Sequence, residues 1–290
     1  MFGNIHVINM TSSRDRLQKL DQNFRKYGIT YERFNAINGK TLDKQIIDAR
    51  VHPLCKTLTC SKGFIGASMS HIELWKEIAT ASQDEQWHLI LEDDVQIASD
   101  TFSKAEIVQK FVKSINKLQP TVINLSPFSL FEGSKVNITR VSYMSGVSAY
   151  LINASGAQLL TEHYSKNKLR FIIDLDMSGV PGLFKYSTSS QVIQTSFDIN
   201  DAINKTSRYS IPLMQSIFVA LLPKFFSDKL NFLFNSSCLH LFTKITIPNG
   251  YILLTIIFIV GWLLKSSVLR IYVFSELILS ISLWFYGKLL

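Results

Sequence analysis

The chain has 290 residues, enough for one large domain or for one domain with an appendage. Its hydrophobic content of 47% is high for a purely soluble enzyme, and its mean hydropathy is +0.17. The formal charge of +8 suits anionic lipid or phosphate-bearing partners, but no dense Lys/Arg block is present, which excludes a nucleic-acid arm.

The apolar excess is uneven. Charged and apolar residues mix as in a globular domain up to about Asn204, whereas apolar and aromatic residues dominate from Ile211 onward. Cys55, Cys60 and Cys238 form an odd, sparse set that does not read as a disulfide framework and fits a reducing compartment. His52, Cys55 and Cys60 lack a fourth zinc ligand at a usual spacing, so they read as loop residues. The Asn-x-Ser/Thr triplets at Asn124, Asn137 and Asn204 are expected by chance in a chain rich in Asn and Ser.

Met1 to Asn4 leads directly into a β-like run, Ile5 to Met10, with no signal peptide ahead of it. Thr11-Ser12-Ser13 is a turn and cap signal. Arg14 then begins a helix to about Lys26, whose apolar face is Leu17, Leu20 and Phe24, and Gly28 stops it. Tyr31 to Ile37 reads as a second strand closed by the Asn38-Gly39 turn, which makes a βαβ unit and implies largely parallel strands. Thr41 to Lys62 reads as a helix plus loop. Gly63 opens a helix that runs through His71 to about Ala81; its small residues Gly66, Ala67 and Ser68 admit a ligand or another backbone, and its amino terminus favours an anion.

Leu89-Ile90-Leu91 fits a buried strand and runs into three carboxylates, Glu92-Asp93-Asp94. Such a cluster puts oxygen ligands at the carboxyl edge of a sheet, where α/β folds bind their ligands and where a hard divalent cation fits. Taken alone, the triplet reads more readily as a solvated acidic turn than as a metal site. Further on, Phe102 to Leu118 is an amphipathic helix, Thr121 to Leu125 and Val147 to Ile152 are strands, and Gln158 to about Tyr164 is a helix. Leu169 to Asp176 reads as extended, so that Asp174 and Asp176 face the same way.

Residues 211–246, rich in Phe and Leu and broken by Pro223, Lys224, Asp228 and Lys229, read as an amphipathic segment lying on a membrane. Residues 247–290 hold two apolar stretches, Tyr251 to Leu264 and Ile271 to Gly287, separated by Lys265 and Arg270. They read as one or two transmembrane or membrane-embedded helices, a buried helical subdomain being the alternative.

Several of these blocks occur in an order that resembles glycosyltransferase family 25. They are Ile8-Asn9-Met10 with Arg14-Asp15-Arg16, Tyr31 to Gly39, Gly63 to Trp75, Leu89 to Val95, and Gly146 to Ala157. The resemblance covers roughly Ile5 to Arg208. It implies a GT-A-like α/β nucleotide-sugar-binding fold with a mostly parallel central sheet over residues 1–210, to which the C-terminal helical membrane tail is added. It further implies inverting, metal-assisted transfer of a hexose, galactose from UDP-galactose, to a lipooligosaccharide or other glycan or glycolipid acceptor. Phe64 stands where the family usually has Glu, and Ala67 where it usually has Cys. These departures keep a second reading open, a catalytically inactive, membrane-tethered glycan-binding or scaffold protein. A metal-dependent phosphotransferase is disfavoured, since no phosphate-cradling Gly-Lys-Ser/Thr loop is present.

Under the resemblance Glu92 and Asp94 are the expected ligands of Mn2+ (or Mg2+), with Asp93 facing the ribose or structural hydrogen bonds. Arg14 and Arg16 are expected at the donor diphosphate, a solvated helix start being the plainer role. Ser70 and His71 are expected at the donor or acceptor pocket, a hydrogen-bonded core role being as good for His71. Trp75 and Tyr150 have stacking on uracil or sugar, or core packing, as alternatives. Asp174 or Asp176 is the expected general base. The expected location is the bacterial inner membrane with the catalytic domain cytoplasmic; no protein partner is inferable.

Overall fold

In the computed structural model the described residues are 4–56, 60–81, 86–127, 136–142, 144, 146–195, 239–241, 245–247 and 249–289. The chain forms two compact units, Met1–Ser196 and Phe197–Leu290. The proposed interfacial segment, 211–246, falls almost wholly outside the described residues.

The first unit opens with β1 (Asn4–Asn9), α1 (Arg14–Lys26) and β2 (Glu32–Asn35). Asp15 in the first turn of α1 and Arg25 and Lys26 in its last suit the helix dipole, and Leu20 and Phe24 are its buried face. Gly28, at φ +64°, ends it in a conformation that a side chain would strain. There follow α2 (Lys44–Arg50), α3 (Lys62–Ala81), β3 (Trp87–Glu92), β4 (Val95–Gln96), α4 (Thr101–Ser114), β5 (Thr121–Asn124), β6 (Ile138–Arg140) and β7 (Ala149–Asn153). The unit closes with α5 (Ala154–Lys166), α6 (Ile173–Ser178), β8 (Phe184–Thr188) and β9 (Gln194–Thr195).

Seven strands make one sheet in the order β2-β1-β3-β7-β5-β8-β6. β1 is parallel to β2 and β3, and β5 is parallel to β8. β7 runs against β3 and β5, and β6 runs against β8, so five of the seven strands share one direction. The expected α/β fold with a mostly parallel sheet is therefore present, but with a reversed strand at its centre. Period-two alternation divides the core between the two faces. Ile8 and Ile90 pack with Trp75, Leu160 and other α3 and α5 residues, while Val7, Leu89 and Leu91 pack with Leu20, Phe24 and Val108 from α1 and α4.

Two expectations are corrected here, and a third is narrowed to one of its two alternatives. Residues 173–178 are helical, so Asp174 and Asp176 do not share a face, since positions two apart on a helix diverge. Cys55 and Cys60 are joined in a disulfide, which removes the cysteine argument for a reducing compartment. The small residues on α3 admit a backbone: a Cβ on Gly66 would lie 2.5 Å from the Ile37 carbonyl oxygen, so the Asn38-Gly39 turn rests directly on the helix.

In the second unit β10 (Leu239–Leu241) pairs antiparallel with β11 (Ile245–Ile247). α7 (Asn249–Leu263) and α8 (Ser267–Leu289) are joined by a turn in which Lys265 has φ +51°. α7 has 15 residues, a rise of about 22 Å against the roughly 30 Å of a bilayer's hydrocarbon core. Arg270 and Glu276 interrupt α8. Among the described residues no helix is long and apolar enough to cross a membrane, which corrects the expected transmembrane tail.

Candidate functional site

Because β2, β1 and β3 are adjacent and parallel, their carboxyl ends reach one edge together. Register places Asn9 beside Asn35 and Ile8 beside Glu92. The chain turns after Glu92, and the side chains of Glu92 and Asp93 take different partners.

Asp93 turns toward β1. Its Oδ2 accepts from Asn9 Nδ2 at 2.7 Å, and its Oδ1 lies 2.9 Å from Arg16 Nη1. Asn9 is itself oriented by Arg33, whose Nε donates to Asn9 Oδ1 at 3.0 Å. Asp93 is thus the anchor that ties the acidic turn to the loop after β1. Burial lifts its pKa, the Arg16 charge and the Asn9 hydrogen bond oppose this, and the net direction is upward. Arg16 also donates to Ser13 Oγ, and with its side chain 41% exposed it stays open to solvent at the edge. Arg14 is exposed at the first residue of α1.

Glu92 turns the opposite way, toward α3. Its Oε1 is 3.3 Å from His71 Nε2, and its Oε2 accepts from Ser148 Oγ at 3.1 Å. Its backbone N–H donates to the Ser148 carbonyl at 2.8 Å. Behind His71 the network runs into the core, where Tyr150 Oη sits 2.9 Å from His71 Nδ1 and accepts from Trp75 Nε1 at 2.8 Å. Tyr150 Oη, accepting from Trp75, can donate to a neutral His71 Nδ1 or accept from a charged one, and in both cases the His71 Nε2–H points at Glu92. Trp75, Tyr150 and His71 are all at most 1% exposed. They therefore have the core role, and His71 serves the site by holding Glu92. Burial raises the pKa of Glu92, but the hydrogen bond and charge of His71, the Ser148 hydroxyl and Arg16 outweigh it, and the carboxyl sits below its ordinary range.

Asp94 has its pKa pushed up to about 7 by burial and by the charges of Glu92 and Asp93, with Arg16 opposing. Three carboxylates converge on an edge where Arg16 is the nearby cation, so the edge is short of positive charge at neutral pH. Among the described residues no group of three or more His, Cys, Asp or Glu side chains is arranged to hold a metal by itself. Glu92 and Asp94 fit a Mg2+- or Mn2+-class ion in the manner of sites where one or two carboxylates are completed by substrate phosphates and water.

Ser70 is buried; its Oγ accepts from the Ile37 N–H and donates to the Gly66 carbonyl, both at 2.8 Å. This bond pins the segment after β2 to α3. The two aspartates of α6 part company. Asp174 Oδ2 accepts from the Gly146 N–H at 3.1 Å, and the charge of Glu92 adds to burial in raising its pKa, so it belongs to the Glu92 side. Asp176 accepts from Tyr164 Oη at 3.0 Å and from the Arg170 N–H at 3.2 Å, on the α5 side.

Asn9, Arg33 and Ser148 were not assigned roles from sequence. The available signal was a polar Asn ending a strand otherwise apolar from Val7, a position where a side chain must find a partner.

The model of the family described as "Glycosyltransferase family 25 (LPS biosynthesis protein)" matches residues 2–177. "Putative glycosyltransferase R655" of Acanthamoeba polyphaga mimivirus is 27% identical over 176 residues, 59% of this chain and 49% of that protein. A "Glycosyltransferase 25 family member" of Anopheles gambiae is 31% identical over 100 residues, 32% of this chain and 16% of that protein. Another of Aedes aegypti is 29% identical over 113 residues, 36% and 18% of the respective chains. The matched segment therefore spans about half the length of the viral relative and less than a fifth of the mosquito ones. The family match ends before the second unit begins.

Proposed function

Since the chain belongs to glycosyltransferase family 25, we propose that it transfers a hexose from a nucleotide-sugar donor to a glycan acceptor at the carboxyl edge of β1, β2 and β3. The observation that carries this reading is the division of labour in the acidic turn: Asp93 is tied to Asn9 and Arg16, Glu92 is oriented by His71 and Ser148, and the charges of both bear on the buried Asp94. The donor is UDP-galactose, as the sequence resemblance implies, and the acceptor a lipooligosaccharide-type or other glycan, in keeping with the family's description as an LPS biosynthesis protein.

Glu92 and Asp94 would hold the divalent ion, which supplies charge stabilisation to the departing diphosphate. Arg16, fixed by Asp93 yet exposed, supports the same developing charge from the β1 loop. His71 keeps Glu92 oriented and excludes water behind it. In the transfer the acceptor oxygen bonds to the anomeric carbon, and the bond from that carbon to the phosphate oxygen breaks with its electron pair leaving on the nucleotide. The acceptor proton passes to Asp174, the aspartate on the Glu92 side, whose raised pKa makes it a better base. Inversion at the anomeric carbon follows from a single displacement.

The second reading, a silent glycan-binding scaffold, is favoured by Phe64, which is 39% exposed near the start of α3 and offers a ring at that surface. One experiment separates the two. Turnover of a panel of UDP-sugars with and without Mn2+ is measured for the wild type, Asp94→Ala and Asp174→Asn, with donor binding followed by calorimetry. Mn2+-dependent turnover of one donor is expected, falling at least about 100-fold in Asp94→Ala and in Asp174→Asn, with the donor Kd unchanged in Asp174→Asn. Wild-type activity in Asp94→Ala would remove that residue from the metal site; absence of donor binding in the wild type would favour the scaffold.

A further inference from the structure

The segment that leads into β7 is pinned from three sides, and one of its anchors lies outside the site described so far. Asn124, the last residue of β5, is fully buried and stands in register between Tyr150 of β7 and Ser187 of β8. Its side-chain amide works in both directions. Oδ1 accepts from the Ser126 N–H at 3.0 Å, and Nδ2 donates to the Gly146 carbonyl at 2.8 Å. A backbone N–H can only donate and a carbonyl can only accept, so these partners fix which way the amide points. Gly146 has φ +74°, a conformation that glycine adopts without strain, and in it the residue presents its carbonyl to Asn124 and its N–H to Asp174.

The other holds on this strap come from α6 and β3. Asp174 Oδ2 accepts from the Gly146 N–H at 3.1 Å. Ser178 Oγ accepts from the Met144 N–H at 3.0 Å and donates to the Asp174 carbonyl at 2.6 Å, so one hydroxyl ties the strap to the aspartate's own backbone. Two residues after Gly146, Ser148 donates from Oγ to Glu92 Oε2 at 3.1 Å, and its carbonyl accepts from the Glu92 N–H at 2.8 Å. Two residues of chain span at most about 7 Å. A shift of Gly146 is therefore passed to Asp174 on one side and to Ser148 and Glu92 on the other. Asn124 holds the residue between them.

We propose that Asn124 is a positioning residue for the transfer: by holding the Gly146 carbonyl it fixes the strap that joins Asp174 to Glu92, and so sets where the base stands relative to the acidic turn. This rests on the transfer reading above, in which Asp174 takes the acceptor proton. A base that must reach one hydroxyl proton tolerates little displacement, and about 1 Å of misplacement can cost on the order of 100-fold in rate. An amide suits the position because a buried strand end has a donor and an acceptor to satisfy at once, which an aliphatic side chain of similar size cannot do.

The test is a double-mutant cycle on the full chain, using the UDP-sugar that turns over fastest in the panel above, for the wild type, Asn124→Leu, Asp174→Asn and the double variant. Asn124→Leu is expected to lower kcat at least about tenfold with the donor KM within about twofold. In the Asp174→Asn background the same substitution should change kcat by less than about threefold, because the group it positions is already gone. Ser178→Ala removes a half-buried hydroxyl that holds the same strap; it should lower kcat in the same direction and gives the answer if Asn124→Leu does not fold. Amide hydrogen exchange followed by NMR reads the strap without activity, and Gly146 should exchange at least about tenfold faster in either variant. Equal fractional losses of kcat in both backgrounds, a loss confined to KM, or unchanged exchange at Gly146 would each overturn the proposal. A wild type without turnover would overturn the transfer reading and the catalytic role with it, and exchange at Gly146 would still decide whether Asn124 holds the strap.

Discussion

Replacing Tyr150 with Phe removes one oxygen from the chain that runs from Trp75 through His71 to Glu92. In the wild type that oxygen accepts from Trp75 Nε1 at 2.8 Å and faces His71 Nδ1 at 2.9 Å. Phenylalanine keeps the ring and its packing, so the transfer of apolar surface is nearly unchanged. What is lost is satisfaction of two buried polar atoms in residues 0% and 1% exposed, where water does not reach. Each buried group left unpaired costs about 1–3 kcal/mol, so the variant should lose roughly 2–6 kcal/mol in urea denaturation followed by tryptophan fluorescence. Freed from Tyr150, His71 can also take the tautomer with its proton on Nδ1, which turns an acceptor toward Glu92 and raises the Glu92 pKa. Turnover should therefore fall by about one to two orders of magnitude even where the protein is fully folded. Trp75→Phe in the same background should restore part of the stability, because one of the orphaned donors is gone. A Tyr150→Phe variant within about 0.5 kcal/mol of wild type would refute the reasoning, since it would show that the buried network is not closed.

Gly66→Ala puts a methyl group against the Ile37 carbonyl and the Gly39 amide, both backbone, and should cost about 2–3 kcal/mol; Ala67→Gly, which adds no atoms, is the control in the same denaturation assay. His88 has its pKa lowered to about 4 by burial and by the neighbouring His6, 3.0 Å away. The unfolded chain takes this proton below about pH 6.5 and the native state does not, so stability is full above that pH and falls as the pH drops toward 4. A loss on the order of 2 kcal/mol should appear in denaturation midpoints between pH 7 and 4.5, and His88→Asn should flatten it; equal slopes would count against the buried neutral pair. Arg16 opposes protonation of Asp94, whose pKa is about 7. In metal-free protein, Arg16→Ala should move the Asp94 titration above pH 7 in carboxyl NMR, and an unmoved titration would disconnect Arg16 from the acidic turn.

Local patterns were enough for the start of the fold. Leu17, Leu20 and Phe24 recur at helical spacing and Gly28 ends the run, so α1 was legible before any tertiary contact. Trp87 to Glu92 was legible as a buried strand because its apolar run is too short for a helix and is flanked by polar residues. The order of the motifs carried the family, which the comparisons bear out over residues 2–177. The segment around Asp174 misled because six residues are too few to show a period, and its helix forms against the core through Ile173 and Met177. The antiparallel course of β7 was equally hidden, since a fully buried strand has the same apolar content in either direction. The apolar tail misled in another way: composition reports how greasy a segment is, whereas crossing a bilayer requires one helix both long and apolar enough, which none is among the described residues.

In the acidic turn, amino-acid order alone determined that three carboxylates would lie together at the end of an apolar strand, because their adjacency and the apolar run ahead of them are local properties of the chain. It could not decide what each one does. Asp93 meets Asn9 84 positions away, and Glu92 meets Ser148 56 positions away. Those partners are chosen by which strands lie side by side and by which face each side chain leaves. Hydrogen bonds reach only about 3 Å, so residues far apart in sequence become a site only when packing of the sheet brings them within that distance.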